Sequence, residues 1–432
     1  MKLKWSTLLA AAILVPFPGT GAFAQQTVQA PKFEVDPLWP KPLPNRWLLG
    51  SAVGVAVDSR DHVWVVNLTG SFTVRTETGA DQTPPVAECC FPSPNVLEFD
   101  AEGTLVGHWG GPGPGYTWPS SNHGIAMAPN GNVWIGGAGP RDTQILEFTK
   151  DGRFLRAIGA DAPPIAAPPV AAPDTTYAGV SAAARGAAGA AGAPGARGGG
   201  GRGRGRGNAV PPLPANSAST DAFGGAVRAS FDAKLNEAFI ADGSRNHRVA
   251  VVDVTTGAIK RSWGAYGKSA TDSTTIAPSA KSPQFGNPVS CAELSNDGMV
   301  YVCDRANDRI QVFDKAGKFV KEASIAPATK GAGSVWAVTF SRDPQQKFLY
   351  VADGQNMKVH ILDRQTLEPL SSFGDGGRQP GEFFAVHSIA TDSKGNVYTV
   401  ETLEGKRLQK FVFKGVTNVP RNQGTTWPKG DN

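Results

Sequence analysis

The chain has 432 residues, of which 40% are hydrophobic and 18% are charged, so it can bury a large core and lacks the composition of a disordered protein. Its 52 glycines and 34 prolines exceed what an ordinary globular domain needs, which predicts many tight turns together with a low-complexity segment. The formal net charge is +5 at pH 7, and no segment after the N-terminal one resembles a membrane-spanning helix.

The first residues have the pattern of a secretory signal. Lys2 and Lys4 precede an apolar run over residues 8–17, and Ala22-Phe23-Ala24 supplies the small residues that a signal peptidase reads. We predict a Sec-type signal peptide over residues 1–24 and a periplasmic or secreted bacterial protein. An uncleaved membrane anchor is the alternative, but the run is shorter than the ~20 residues that span a bilayer.

A repeat of about 40 residues organises the rest of the chain. Each copy has an apolar strand, a turn with Asp-Gly, Asn-Gly or an equivalent, an aromatic-rich strand and a third strand. Examples are "GVAVDSRDHVWVVN" from Gly54, "HGIAMAPNGNVWIGG" from His123 and "HSIATDSKGNVYTVE" from His387. Repeats of strands and tight turns are typical of β-propeller blades. The sequence therefore predicts an all-β, six-bladed β-propeller over residues 32–415, with a C-terminal tail over 416–432.

Five blades are complete in the sequence and the sixth is not. After "RLQKFVFKG" no fourth strand follows, which would leave an exposed sheet edge. The segment "KFEVDPLW", Lys32 to Trp39, has strand character and belongs to no blade, so we expect it to close the ring. The predicted blades are Val53–Gly110, His123–Gly159, Ala226–Gly264, Val289–Ile325, Val335–Gly374 and a sixth from about Val386.

A segment rich in Ala, Gly, Pro and Arg, residues 162–220, separates the second and third blades. It has almost no large apolar residues, so we predict a disordered surface loop. Arg-Gly tracts can bind nucleic acid, but this one lacks the interleaved aromatic residues that stack on bases, and an exported protein meets little RNA. We therefore expect no nucleic-acid partner and interpret the segment as a tolerated insertion that at most touches anionic envelope surfaces, with nucleic-acid binding as the alternative. The five arginines of this segment are Arg185, Arg197, Arg202, Arg204 and Arg206.

Export permits disulfides, and the chain has four cysteines, Cys89, Cys90, Cys291 and Cys303. Cys291 and Cys303 flank a turn between neighbouring strands, so a cross-strand bridge is possible. Cys89 and Cys90 are adjacent and would pair with each other or with partners elsewhere. Some of the four could instead be buried small hydrophobic residues, and the sequence leaves the connectivity open.

Two histidines stand at the same place in their blades. His123 and His387 begin first strands, which line the central channel of a propeller. Imidazoles that converge from different blades suit zinc or a similar metal, while hydrogen-bonded channel residues without a metal are the alternative. Trp336 also begins a first strand and is a candidate stacking surface for a ligand. Arg305, in a strand-end turn, is either a site residue or a rim residue that pairs with Asp304, Asp308 or Glu401.

The repeats resemble NHL repeats, and the order of motifs over about residues 33–415 resembles peptidyl-α-hydroxyglycine α-amidating lyase, a six-bladed propeller. The resemblance implies release of a peptide amide and glyoxylate, with zinc on three channel histidines beside arginine and tyrosine residues. The closest local match, "VYVCDRANDRIQVFDKAGKFVKE", places Arg305 at a site arginine, and His123 and His387 fall on two zinc ligands.

This chain departs from the lyase pattern at three positions. Val289 stands at the third ligand position, Ser244 at the tyrosine position and Leu68 near the second arginine. The implied lyase site is therefore degenerate.

Three functions from different classes are consistent with these features. The first is an exported, monomeric propeller that binds a small molecule, peptide or protein at the channel mouth, with Trp336 and Glu401 among the contacts. The alternative is a metal-dependent lyase acting on a carbinolamide-like substrate, with zinc on His123 and His387, Arg305 as catalytic anion clamp, and Glu401 or Glu293 completing the site. A structural envelope component is a third possibility.

Overall fold

The computed structural model describes residues 27–72, 77–163, 211–272 and 277–428. The predicted signal peptide over 1–24 and residues 164–210 of the predicted loop lie outside the described residues. Helix in the described ranges is limited to four single 3-10 turns, at Thr69–Ser71, Gly79–Asp81, Ala265–Gly267 and Arg305–Asn307. None of them has the length or the apolar character of a membrane-spanning helix.

Six four-stranded antiparallel sheets form the blades of a β-propeller, which confirms the predicted fold class. The strands up to the end of blade one are β1 (Thr27–Asp36), β2 (Trp47–Leu48), β3 (Ser51–Val57), β4 (Val63–Leu68), β5 (Phe91–Pro92), β6 (Val96–Phe99) and β7 (Leu105–Trp109). Blade two has β8 (Asn122–Met127), β9 (Val133–Gly137), β10 (Ile145–Phe148) and β11 (Phe154–Ile158). Blade three has β12 (Ala226–Asp232), β13 (Glu237–Asp242), β14 (Arg248–Asp253) and β15 (Ile259–Trp263).

The remaining three blades follow in chain order. Blade four has β16 (Val289–Leu294), β17 (Met299–Asp304), β18 (Arg309–Asp314) and β19 (Phe319–Ser324). Blade five has β20 (Ala337–Phe340), β21 (Phe348–Asp353), β22 (Lys358–Asp363) and β23 (Pro369–Phe373). Blade six has β24 (Val386–Thr391), β25 (Val397–Glu401) and β26 (Arg407–Pro420), with β1 as its outer strand.

The burial pattern explains why the strands read differently in the sequence. Middle strands contact a neighbouring blade on each face, so β13 and β21 are buried along their whole length. Outer strands alternate between partly buried and exposed positions, as in β19, because one face packs on the next blade and the other meets solvent. The core is thus distributed between the blades as six clusters of apolar side chains.

The N-terminal strand closes the ring as predicted. In β1, Phe33 lies opposite Phe413 and Val35 opposite Phe411 of β26. Between Phe33 and Pro31 the register shifts, and from there the pairing continues toward the N-terminus as far as Thr27, which lies opposite Pro420. The predicted boundaries at 32 and 415 are therefore too narrow, because β1 begins at Thr27 and β26 ends at Pro420, with Ala30 and Val419 buried in the same apolar cluster as Phe33.

The residues after Pro420 also belong to the fold. The backbone N–H of Ser372 in β23 donates to Arg421 at 3.0 Å, and that of Gly374 donates to Gly424 at 2.8 Å. The backbone N–H of Val35 in β1 donates to Thr426 at 2.7 Å. The segment 421–426 therefore connects the outer edges of blades five and six, where the sequence predicted only a tail.

Three blades share an acid–arginine pair on the face where the first strands begin, which we call the mouth face. Asp242 pairs with Arg248 at 2.8 Å, Asp304 with Arg309 at 2.7 Å and Glu401 with Arg407 at 2.7 Å. Each carboxylate accepts the N–H of a residue just before its blade's first strand, and each arginine donates to carbonyls of the preceding loop. These charge-assisted bonds order loops that have no regular secondary structure.

The acid–arginine pair of blade three shows that one predicted boundary of the disordered loop is wrong. Arg248 donates to the carbonyls of Ser217 at 2.8 Å and Ser219 at 2.6 Å, and Ser217 is buried. Ser217 and Ser219 are therefore acceptors for a buried arginine, and the predicted end of disorder at 220 is wrong for this part of the segment.

Both disulfides join the nearer of the possible partners. Cys291 in β16 lies directly opposite Cys303 in β17, and the two form a cross-strand disulfide. Cys89 and Cys90 form a disulfide with each other.

Candidate functional site

The channel site is built from one equivalent position in each blade. In five blades the ladder between the first and second strands skips a register step near this position, so the skipped residue projects from the pairing as a β-bulge. In blade five the equivalent residue immediately precedes β20. The six residues are Val53, His123, Val227, Ser290, Trp336 and His387, and all of them line one small cavity.

Polar and apolar residues alternate around this ring. His123, Ser290 and His387 come from blades two, four and six, whereas Val53, Val227 and Trp336 come from the other three. The assignment of Val289 to the third ligand position is therefore wrong. The bulge places Ser290 there, while Val289 pairs with Asp304 and is fully buried.

The two predicted histidines do come together. Their ring centroids lie 4.7 Å apart with the planes at 61°, and the ring of Trp336 lies 5.5 Å from that of His387. His387 Nδ1 lies 2.8 Å from the carbonyl oxygen of Val53. Because a carbonyl only accepts, Nδ1 carries the proton and the lone pair of neutral His387 is on Nε2.

Both imidazoles are held neutral. Burial lowers the pKa of His123 to about 4, with a further contribution from the positive charge of Arg305, against an opposing hydrogen bond with the backbone of Val227. Burial also lowers the pKa of His387 well below its usual value, followed by the effects of His123 and Arg305. At neutral pH the pair therefore carries no charge, and because the N–H of His387 already donates to Val53, His387 offers the channel an acceptor lone pair on Nε2.

Arg305 lies above the histidine pair in the turn that follows β17. Its guanidinium carbon is 3.5 Å from the centroid of the Trp336 ring, and its Nε donates to the carbonyl of Ala332 at 2.7 Å. Burial lowers its pKa to about 9, so it still carries its charge at neutral pH. It forms no ion pair with a carboxylate of the described residues.

The expected rim partners of Arg305 are engaged elsewhere. Asp304 pairs with Arg309 at 2.7 Å, Asp308 accepts the backbone N–H of Ser334 at 2.8 Å, and Glu401 pairs with Arg407. The interpretation of Arg305 as one half of a rim ion pair is therefore wrong. Its guanidinium is instead a half-buried cation stacked on an aromatic ring.

Two predicted contacts have other roles. The carboxylate of Glu401 accepts from Arg407, Gln409 and the backbone N–H of Phe384, and it does not line the channel cavity. The prediction of Glu401 as a channel-mouth contact is wrong, because it belongs to the acid–arginine device of blade six. Trp336 does line the cavity, but Arg305 covers one face of its ring and its Nε1 donates to Gly333 at 2.7 Å.

Arg228 is the site residue that sequence reasoning missed. It lines the same cavity, forms an ion pair with Glu293 of blade four, and donates to Ser388 Oγ of blade six at 2.7 Å. Burial raises the pKa of Glu293, which the charge of Arg228 opposes. An arginine in the otherwise small and apolar stretch "GAVRAS" was the available signal.

The residues at the channel fit a zinc centre poorly. Catalytic zinc ordinarily has three protein ligands, and the described residues supply two imidazoles there. The hydroxyl of Ser290 donates to the carbonyl of Val335 at 3.1 Å, and the charge of Arg305 opposes a second cation. Within the described ranges, one trio of side chains has metal-ligand spacing, Asp58, His62 and Glu98, but Arg60 and Lys150 already neutralise it. We therefore derive no catalytic step through a metal.

Comparison of the sequence with known proteins gives no match. No protein-family model matches the chain, and no curated protein matches it. The NHL repeat and the amidating lyase therefore stay predictions.

Solved structures do resemble the chain. A streptogramin B lyase is 10% identical with a TM-score of 0.45, covering 88% of this chain and 98% of that one. An inactive H270A virginiamycin B lyase from Staphylococcus aureus with quinupristin is 11% identical with a TM-score of 0.44, covering 90% and 89%. A protein of unknown function from Bacteroides thetaiotaomicron is 13% identical with a TM-score of 0.45, covering 85% and 70%. At these values the comparisons say nothing about activity, and the six sheets themselves establish that the chain is a six-bladed β-propeller.

Proposed function

We propose that this protein is an exported propeller that binds an anionic small molecule or peptide at its channel mouth. The single observation that carries the proposal is the guanidinium of Arg305, a half-buried cation without a carboxylate partner among the described residues. Burying a charge is costly unless it is paired. A carboxylate from outside the chain would complete the site.

The charges around Arg305 favour an anion. His123 and His387 are neutral, and Arg228 is neutralised by Glu293, so the site carries one net positive charge. A charge-assisted hydrogen bond to a guanidinium is short and strong, and the forked group matches a carboxylate. The neutral imidazoles leave this charge unchanged, and since the N–H of His387 is bonded to Val53, the hydrogen bonds to the anion would come from Arg305.

The channel limits how deep a ligand reaches. The cavity between the histidines has a volume of about 10 Å³, which is the space of one water molecule. Arg228 and Glu293 close the channel where they meet, between blades three, four and six. The bulk of the ligand would therefore lie on the mouth face, with its anionic group directed at Arg305.

The test is a titration with acetate and with N-acetylglycine, followed by tryptophan fluorescence. Arg305→Met should weaken binding by tenfold or more, since a hydrogen bond to a charged group contributes about 1.5–3 kcal/mol. The matched control is Arg153→Met, because Arg153 is exposed on a turn of blade two and forms no ion pair with a described carboxylate. Equal affinity of Arg305→Met and the wild type would refute the proposal.

Export is part of the proposal and rests on residues 1–24. The mature protein from its native host should begin at Gln25, as N-terminal sequencing would show. A protein that retains Lys2 and Lys4 would refute cleavage.

The second candidate is a metal-dependent lyase that resembles the amidating lyase. The observation in its favour is the pair of neutral imidazoles, with His387 Nδ1 bonded to a carbonyl, because metal-bound histidines ordinarily have such a partner. The test is the metal content of protein purified without chelator or histidine tag. About one equivalent of zinc, lost in His123→Ala and His387→Ala, would support this candidate, and its absence would remove it.

A further inference from the structure

The disulfide between Cys89 and Cys90 lies in an exposed loop of blade one. None of the residues from Asp81 to Cys90 is buried, and Val86 is 53% exposed. Cys89 itself is exposed and Cys90 is half-buried. The loop leaves β4 after Leu68, which occupies in blade one the position of Arg305 in blade four. It therefore lies on the mouth face.

The second disulfide has the opposite environment. Cys291 and Cys303 are both fully buried, within an apolar cluster between blades four and five. A thiol in solution can reach Cys89 directly, whereas it can reach Cys291 only if blade four opens. Exposed disulfides are the ones that exchange with thiols, and buried structural ones resist reduction.

Within this loop, the described contacts of residues 81–90 are few and mostly involve the backbone. The N–H of Ala80 donates to Cys89 at 3.2 Å and that of Val86 donates to Gly79 at 3.0 Å. Arg46 donates to the carbonyl of Glu88 at 2.6 Å. Without a buried side chain from residues 81–90, opening of this loop exposes little apolar surface and therefore costs little free energy.

We propose that Cys89–Cys90 is a reversible redox site on the mouth face, reduced by dithiols while Cys291–Cys303 stays oxidised. A thiolate of the dithiol attacks the sulfur of Cys89, and Cys90 leaves as a thiolate that takes up a proton. The second thiol of the reductant then displaces Cys89, which also becomes a thiol. Two electrons and two protons pass to the protein, and the reductant leaves as its own disulfide.

The reduced pair would bind a thiophilic metalloid. Two adjacent thiols can both bond to one trivalent arsenic atom, and soft thiolate ligands favour such centres. With phenylarsine oxide, two As–S bonds form, the As–O bond breaks, and the oxygen leaves as water with both thiol protons. The oxidised protein has no free thiol for this reaction.

The experiment titrates the full mature chain with dithiothreitol, without denaturant, and blocks free thiols with N-ethylmaleimide. Peptide mass spectrometry should find two labels on Cys89 and Cys90 at dithiothreitol concentrations at least tenfold below those that label Cys291 and Cys303. Amide exchange over residues 77–93 should rise on reduction and fall again when oxidised dithiothreitol is added. The reduced protein should take up one phenylarsine oxide.

Three results would overturn the proposal: labelling of both pairs together, no labelling of Cys89 and Cys90 short of unfolding, or no one-to-one arsenical adduct. Cys89→Ser/Cys90→Ser is the control, since it should neither respond to dithiothreitol in this range nor bind the arsenical. The measurement on the wild-type chain decides the matter even if that variant folds poorly.

Discussion

Removal of the aromatic side chain of Phe33 in β1 tests whether the N-terminal strand closes the propeller. Phe33 is 1% exposed, and its ring lies 5.0 Å from Phe373, 5.5 Å from Tyr350 and 5.9 Å from Phe413. It therefore packs against both blade five and blade six. Phe33→Ala should lower the free energy of unfolding by about 3–5 kcal/mol, which combines lost burial with the cavity left among three rings that cannot easily collapse.

The assay is urea unfolding followed by tryptophan fluorescence, with reversibility checked by refolding. If unfolding is irreversible, the rate of unfolding replaces the free energy as the measured quantity. The matched control is Lys32→Ala, one residue earlier, whose side chain is 39% exposed and pairs with Glu34. An exposed ion pair contributes about 0–1 kcal/mol, so this variant should be close to wild type. A loss below about 1 kcal/mol in Phe33→Ala would mean that the ring closes without β1.

Three further outcomes follow from the site. Ser290→His should make the protein retain zinc through gel filtration, while the added volume should lower its stability by about 1–3 kcal/mol. Val289→His should not retain zinc. Zinc retention by both variants or by neither would contradict the assigned bulge. The pKa of His123 in the folded protein is about 4, below its ordinary 6.5, so on acidification the unfolded chain takes up this proton first. The stability should therefore fall as the pH drops from about 6.5 to about 4. If the urea midpoints of the wild type and of His123→Gln/His387→Gln changed with pH in the same way over this range, the neutral pair would be refuted. Glu401→Gln should destabilise the fold by about 3 kcal/mol, since it breaks a buried pair with Arg407, but it should leave the affinity for acetate unchanged. A loss of acetate affinity without a loss of stability would show that Glu401 contacts the ligand.

The sequence was sufficient for the architecture and only partly sufficient for the site. The repeat period and the missing fourth strand of the last blade predicted six blades and closure by β1, because both depend on patterns that extend over whole strands. Val289 was assigned in place of Ser290 because a bulge moves a side chain by one position without changing the apolar pattern.

Glu401 is wrongly assigned, and Arg228 is missed, for a different reason. In the sequence, an acid at a strand end looks the same whether it contacts a ligand or an arginine six residues later. Only the three-dimensional structure distinguishes these two roles. Arg228 crosses from blade three to Ser388 of blade six, a contact between residues far apart in the chain. No local pattern encodes such a contact.

The pairing of β1 with β26 also determines when the protein can finish folding. Thr27 lies opposite Pro420, so a segment made early in synthesis waits for one made much later. Contacts between such distant parts of a chain form slowly, because a long loop must first be closed. Until then the 14-residue β26 presents an open edge to other chains. The interval before closure is therefore when this protein is most exposed to aggregation, and when a chaperone that covers a strand edge would benefit it most.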